Sequence, residues 1–297
     1  MSTVLGIPLQ KVIARGPKIL MLGMEGSGKT DSIRTLIEAG LKVFCVFLEP
    51  GMEVLQDGSR GRRVYSCADG LHWHYIPVAT PSFADMMDSA EKLNTFSFKA
   101  LSEMAPMNRD KYRAYYELMV CMAGLKCDRC GTNFGPADKL PYNEWCVVND
   151  SLTSISKAAL FGHIGSKPAV HKGEYGVCMF NIERYVDKFT NDMPCMGLML
   201  AHIDKEPNEV SGGFENMVST LGQKLAPKIP RPFSDVILSK RSKGDFKWST
   251  TEADYKLKTR NFEFSDSIQP TFVPLINKWR AKIKEEQKAL DAAVVKT

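Results

Sequence analysis

The sequence lacks any apolar run approaching the ~18 residues that a membrane-crossing helix needs. Its opening stretch, MSTVLGIPLQKVIARG, has too short an apolar part and no cleavage site, so it does not read as a secretory leader. Internal repeats and low-complexity tracts are missing too, which sets aside repeat architectures and disordered linkers. Strong net charge is also lacking. The balance is only +5, although ten Lys/Arg face four Asp/Glu between Lys224 and Arg260. That basic segment suits an anionic polymer or a neighbouring subunit's nucleotide, and equally a solvated surface. Without a secretory leader, the eight cysteines read as core thiols or metal ligands of a reducing compartment, and the expected location is the cytoplasm. What remains, 44% apolar and 25% charged over 297 residues, is a globular chain of about two domains or one α/β domain with insertions.

What is present begins at MLGMEGSGKT, residues 21–30. Gly23, Gly28, Lys29 and Thr30 fit G-x-x-x-x-G-K-T. The apolar run PKILMLG before it has strand length, and TDSIRTLIEAG after it has helical spacing at Ile33, Leu36 and Ile37. Strand, glycine loop and helix N-terminus together turn backbone N–H groups and a positive dipole end toward an anion. Gly23, Glu25, Gly26, Ser27, Gly28, Lys29, Thr30 and Asp31 are the candidate nucleotide contacts. Lys29 is placed for the β- and γ-phosphates and the Thr30 hydroxyl for Mg²⁺.

Later apolar runs read as strands of a parallel sheet buried on both faces. LKVFCVFLEPG ends in Glu49, at the strand end where ligands sit in open α/β sheets. A carboxylate there can orient or deprotonate water, or simply cap a turn. EWCVVNDSLTSIS ends in Asp150, the candidate Mg²⁺ carboxylate. CMGLMLAHIDKE ends in His202, either a structural histidine or a γ-phosphate sensor. FSDVILSKR predicts a fifth strand, and DFKWSTTEADYKLKTRNFEF two short ones. TFVPLINKWRAKIKEEQKALDAA predicts an amphipathic helix with Pro274 near its start.

Between Ala105 and Pro141 lies an insert with Cys127-x-x-Cys130-Gly, half of a zinc site. Cys121, Cys67, His72 and His74 are the candidates for the other ligands, and no second pair at standard spacing follows. Zn²⁺ and free structural thiols both fit.

GMEGSGKT, VFLEPG, CVVNDSLTSIS, EYGVCMFNIERYVDKF, GLMLAHIDKE, GQKLAPKIPRPFSDVIL and YKLKTRN, in that order, cover most of residues 17–265. So arranged, the chain resembles the phage-encoded RecA-like P-loop ATPases related to RadA and RecA, including single-strand annealing recombinases of the Sak type. The resemblance implies an α/β RecA-like P-loop NTPase fold: a central, mostly parallel sheet, a small cysteine-containing insert (105–141) and a C-terminal amphipathic helix. The expected organisation is an N-terminal segment (1–16), an ATPase core (17–265) and a helical C-terminal segment (266–297). It further implies ATP and Mg²⁺, Glu49 as the residue activating water, Asp150 as the Mg²⁺-associated acid and His202 as sensor. Lys258 and Arg260 would act on a neighbour's nucleotide across a homo-oligomer interface, as an arginine finger does.

Two DNA-facing loops follow from the same resemblance, FGHIGSKPAVHKGEYG and DKEPNEVSGGFENMVSTLGQK. Lys167 and Lys172 are the phosphate candidates and Phe214 the base-stacking candidate, against a reading as plain surface loops. The implied partners are single-stranded DNA and a single-strand DNA-binding protein, with no membrane, in the cytoplasm of an infected bacterial host. Asp204, Glu206, Glu209 and Glu215 make the second loop acidic for such a role. Two other readings stand beside this one. The first is a nucleotide-binding switch or small-molecule kinase without a DNA role, although no compact arginine-rich lid is present. The second is a mediator that turns ATP over poorly.

Overall fold

The computed structural model describes residues 3–4, 7–8, 15–208, 212–242 and 244–294. Most of the expected 1–16 segment, Glu209 of the acidic loop and Lys243 of the basic segment lie outside them. Two short N-terminal strands, β1 (Thr3–Val4) and β2 (Ile7–Pro8), pair antiparallel. The main sheet follows, from β3 (Lys18–Leu22), β4 (Lys42–Phe47), β5 (Leu71–Tyr75), β6 (Trp145–Asp150), β7 (Met196–Ala201), β10 (Asp235–Ser242) and β11 (Asp245–Ser249). Its order is β11-β10-β3-β7-β6-β4-β5, parallel throughout except for the β10–β11 hairpin at one edge. The P-loop strand β3 is thus central, flanked by the strand that leads to His202 and by β10. This is the α/β, RecA-like arrangement expected.

The continuous apolar runs become buried strands because both faces of the sheet are covered. Leu20 and Leu22 of β3 point into one core and Ile19 and Met21 into the other, and Val147 and Val148 of β6 divide the same way. On the first face pack α6 (Leu152–Ile164) and α7 (Lys172–Asp187). On the second lie α1 (Arg34–Glu38), the short α2 (Glu53–Gln56) with its buried Leu55, and α8 (Val273–Val294), which buries Leu275, Ile276, Trp279 and Ile283. The helix after the P-loop is shorter than its spacing suggests, because Asp31–Ile33 form a 3₁₀ turn before α1 begins.

Several elements depart from expectation. The link from β5 to β6 spans residues 76–144 and carries α3 (Phe83–Thr95), α4 (Phe98–Glu103) and α5 (Ala114–Ala123) ahead of the cysteine turn. The first proposed DNA loop is mostly helix: FGHI ends α6 and KGEYG opens α7, leaving a link at residues 165–171. The second is an antiparallel hairpin of β8 (Ile203–Asn208) and β9 (Gly213–Val218). Only one of the two strands expected in DFKWSTTEADYKLKTRNFEF forms, β11. The remainder is loop, held by isolated bridges between Asn216 and Tyr255 and between Val236 and Lys258. Among the described residues, no helix is long and apolar enough to cross a membrane.

Candidate functional site

The parallel strands deliver their polar C-terminal residues to one end of the sheet. A cleft of about 630 Å³ opens there, lined by residues 25–31 of the P-loop and by Glu49, Asp150 and His202. Thr30 Oγ1 donates to Asp150 Oδ2 at 2.7 Å, so the two Mg²⁺ candidates already meet. Asp150 is 3% exposed, and burial raises its carboxyl pKa to about 6, although the Thr30 hydrogen bond works the other way. A divalent cation at this pair would stabilise the carboxylate that burial disfavours.

Lys29 Nζ donates to the carbonyls of Gly23 (2.7 Å) and Met24 (2.9 Å). Burial lowers its pKa, opposed by the carboxylates of Asp150, Glu49 and Glu25. Gly28 has φ +88°, and a Cβ there would lie 2.9 Å from the Phe246 ring, so both conformation and space call for glycine.

Glu49 is held on two sides. Ser154 Oγ donates to its Oε2 at 2.9 Å, and His202 Nε2 lies 3.3 Å from its Oε1. Burial alone would raise this carboxyl. Hydrogen bonds from His202, Ser154 and Ser151 outweigh burial and hold its pKa at about 2. On the other side of the imidazole, Glu25 Oε1 sits 3.5 Å from Nδ1, an ion-pair distance too long for a hydrogen bond. His202 is thus a hinge between Glu49 and the loop.

His202 also roots the β8–β9 hairpin. Its backbone N–H donates to Thr153 Oγ1 (3.2 Å), Thr153 Oγ1 donates to the Ser219 carbonyl (3.2 Å), and Ser219 N–H returns to the His202 carbonyl (2.9 Å). Further out, Phe214 is 70% exposed. Glu215 is paired with Lys256 at 2.8 Å.

Other expected residues are placed differently. Asp31 lines the cleft, but its carboxylate is engaged by Arg34 (3.0 Å) and Arg62 (3.2 Å). Lys258 and Arg260 are not among the residues lining this cleft. Lys258 Nζ donates to the Arg231 carbonyl at 2.7 Å, and the backbone N–H of Arg260 donates to Asp235 Oδ1 at 2.8 Å, leaving the Arg260 residue exposed. Lys167 is buried: its ammonium donates to the Ser102 carbonyl and to Glu174 Oε1, each at 2.8 Å, so in this conformation it is not presented to a ligand. Lys172 is exposed in the first turn of α7.

The sequence reading passed over Arg62, Arg241 and Phe246, which line the cleft from the β4–β5 link and the β10–β11 hairpin. The Arg241 guanidinium stands 5.8 Å from the Phe246 ring centre. The only signal for these residues was the local excess of basic residues around Arg241.

A second cluster lies at the β5 edge. One ligand atom each from Cys67, His72, Cys127 and Cys130 falls within 4.8 Å of the others. The candidate set therefore needs correction. Cys121 is buried in α5 against the first core, and His72 stands in its place. His74, two residues on and on the same face of the strand, meets the same turn one residue past Cys127, with Nδ1 2.6 Å from Asp128 Oδ1.

No protein family matches the sequence, and no curated protein sequence matches it. Among solved structures, the chain is similar to the flagellar accessory protein FlaH from Methanocaldococcus jannaschii, with 11% identity and a TM-score of 0.31 over 80% of this chain and 77% of that one. A likeness this distant bears on neither activity nor partners.

Proposed function

We propose that this chain is a Mg²⁺-dependent ATPase that acts on single-stranded DNA in phage recombination, annealing or repair, assembled so that each nucleotide lies between subunits. The observation that carries the catalytic half is the meeting of Lys29, Thr30, Asp150, Glu49 and His202 at one end of the sheet. Thr30 and Asp150 would hold Mg²⁺, which neutralises phosphate charge, and Lys29 turns from its loop carbonyls to the phosphates. Glu49, kept as a carboxylate by Ser154 and His202, accepts the proton of the attacking water. His202 exchanges its contact with Glu49 for the γ-phosphate and passes the change to the hairpin through Thr153 and Ser219.

The polymer half rests on that connection and on the resemblance. The hairpin rooted at His202 exposes Phe214, a side chain suited to stacking on a base. Assembly is supported by the apolar surface of α3 and α4, where Phe83, Met87 and Phe98 are each more than 70% exposed, and by the exposed Arg260. One observation favours a nucleotide switch acting on another protein. The hairpin carries Asp204, Glu206 and Glu215 where a phosphate backbone would approach, and Lys167 is spent inside the fold.

ATP hydrolysis by the purified chain, with and without single-stranded DNA at two salt concentrations, separates the readings. Stimulation by DNA that weakens as salt rises is the expected result. Hydrolysis indifferent to DNA, with no DNA bound in the ATP state, would favour the switch.

A further inference from the structure

Cys67 closes the link from β4, His72 is the second residue of β5, and Cys127 and Cys130 sit on the turn that follows α5. Nothing in the sequence places these stretches together. The fold does, and it brings their ligand atoms to the spacing of a coordination shell. Cys67 Sγ is 3.9 Å from Cys127 Sγ, and Cys130 Sγ is 3.7 Å from His72 Nδ1. A tetrahedral zinc with Zn–S near 2.3 Å and Zn–N near 2.0–2.1 Å requires ligand-to-ligand edges of about 3.5–3.8 Å. A disulfide requires about 2.05 Å, and all eight cysteines are free thiols.

The surroundings hold these donors in place. Cys127 and His72 are buried at 1% and 7% exposure. The His72 ring lies 4.5 Å from the Phe134 ring and 6.0 Å from that of Trp145, which fixes the direction of Nδ1. The cysteine turn is tight: Cys127 N–H donates to the Thr132 carbonyl and Gly131 N–H to the Cys127 carbonyl, both at 2.9 Å.

We propose that Cys67, His72, Cys127 and Cys130 bind one structural Zn²⁺ that clamps the cysteine turn onto the open edge of the sheet. Three thiolates and an imidazole select a soft or borderline cation over Mg²⁺. Four protein ligands leave no open position, so the ion is structural and takes no part in the ATP chemistry. The clamp has a visible purpose. β5 is an edge strand, and the turn covers it: Asp128 N–H donates to the Trp73 carbonyl (2.9 Å), and Asp128 Oδ2 accepts from Tyr75 N–H (2.8 Å). Cys67 also anchors the far end of the link that brings Asp57, Ser59 and Arg62 to the nucleotide cleft.

The test is the metal content of full-length protein purified without chelator, together with cobalt titration of the reduced, metal-stripped chain. One zinc per chain is expected, with visible d–d bands of tetrahedral cobalt and thiolate-to-cobalt charge transfer. Cys130→Ser, a change at an exposed position, should release the ion to a colorimetric chelator at concentrations that leave the wild type loaded. Cys121→Ala should keep it. Wild-type protein with no zinc and no tetrahedral cobalt spectrum would overturn the assignment without recourse to any variant. So would iron in place of zinc, or equal zinc retention in wild type, Cys130→Ser and His72→Ala.

Discussion

The two clusters lie at different margins of one sheet and differ in donor chemistry. At the cleft, a hydroxyl, carboxylates and an ammonium come from the ends of central strands, donors suited to a hard cation and phosphate. At the β5 edge, the donors are thiols and an imidazole. The cleft keeps groups in uneasy states: a buried Asp150 raised to about 6, a buried Lys29 lowered, and a Glu49 depressed to about 2. Opposed shifts occur at the edge as well, where burial pushes the Cys67 thiol up to about 12 and hydrogen bonding to Thr132 draws Cys130 down to about 7. Donor chemistry rather than titration therefore separates the two clusters.

The largest expected effect separates the two directly. Glu49→Gln should lower kcat for ATP hydrolysis by about 10²–10⁴, the usual scale for a general base. Nucleotide affinity and metal content should stay unchanged. Single-turnover hydrolysis alongside equilibrium nucleotide binding measures this, and unchanged hydrolysis would remove Glu49 from its role.

The converse change is next in size. Cys127→Ser removes a buried sulfur from the edge cluster, and loss of a structural metal belongs to the changes worth more than about 4 kcal/mol. Thermal unfolding should shift down sharply, and added zinc should restore the wild type after chelation but not the variant. An unshifted midpoint would mean that packing of Leu118, Leu125 and Phe134 holds the turn unaided.

The contrast also governs what the sequence could reveal. The P-loop is contiguous, so motif and flanking periodicity disclose the strand, the loop and the candidate Mg²⁺ threonine together. Glu49, Asp150 and His202 were legible because parallel strands end at one face. The edge cluster was half legible, since Cys127 and Cys130 are close in sequence while Cys67 and His72 are joined to them only by folding. LHWHY is a strand whose alternation puts His72 and His74 on one face, toward the cysteine turn, where His72 reaches the cluster and His74 reaches Asp128; spacing in the sequence does not tell these two apart. The β8–β9 hairpin was missed because IDKEPN and GFENMV have polar residues on both faces, which removes the alternation that marks a strand. Lys167 reads as surface because the Ser102 carbonyl is brought to it only by folding, and Glu174, seven residues on, faces it only because α7 begins at Lys172.

Titration sharpens the reading of Glu49. Its folded pKa of about 2 lies below the ordinary 4.5, so folding favours the carboxylate. That stabilisation is complete above about pH 4.5 and disappears as pH falls toward 2. Glu49→Gln has nothing to titrate, so the stability gap between wild type and variant should narrow across this window. Urea unfolding at several pH values measures it. A gap independent of pH would detach the carboxylate from His202 and Ser154.

The smallest effect comes from a pair of glycines, one in each region. Gly28 (φ +88°) and Gly131 (φ +72°) both adopt the left-handed conformation, which costs other residues about 1–2 kcal/mol. Their surroundings differ. A Cβ at Gly28 meets Phe246 at 2.9 Å, whereas nothing lies within 4 Å of one at Gly131. Gly28→Ala must therefore displace a ring that lines the nucleotide cleft, and should weaken nucleotide binding by roughly tenfold, the equivalent of about 1.4 kcal/mol. Gly131→Ala bears the backbone strain alone, so it should lower the unfolding midpoint slightly and leave nucleotide affinity untouched. Equal losses of affinity in both variants would mean that the edge cluster is coupled to the cleft through the link carrying Arg62. The division between a chemical margin and a structural one would then fail.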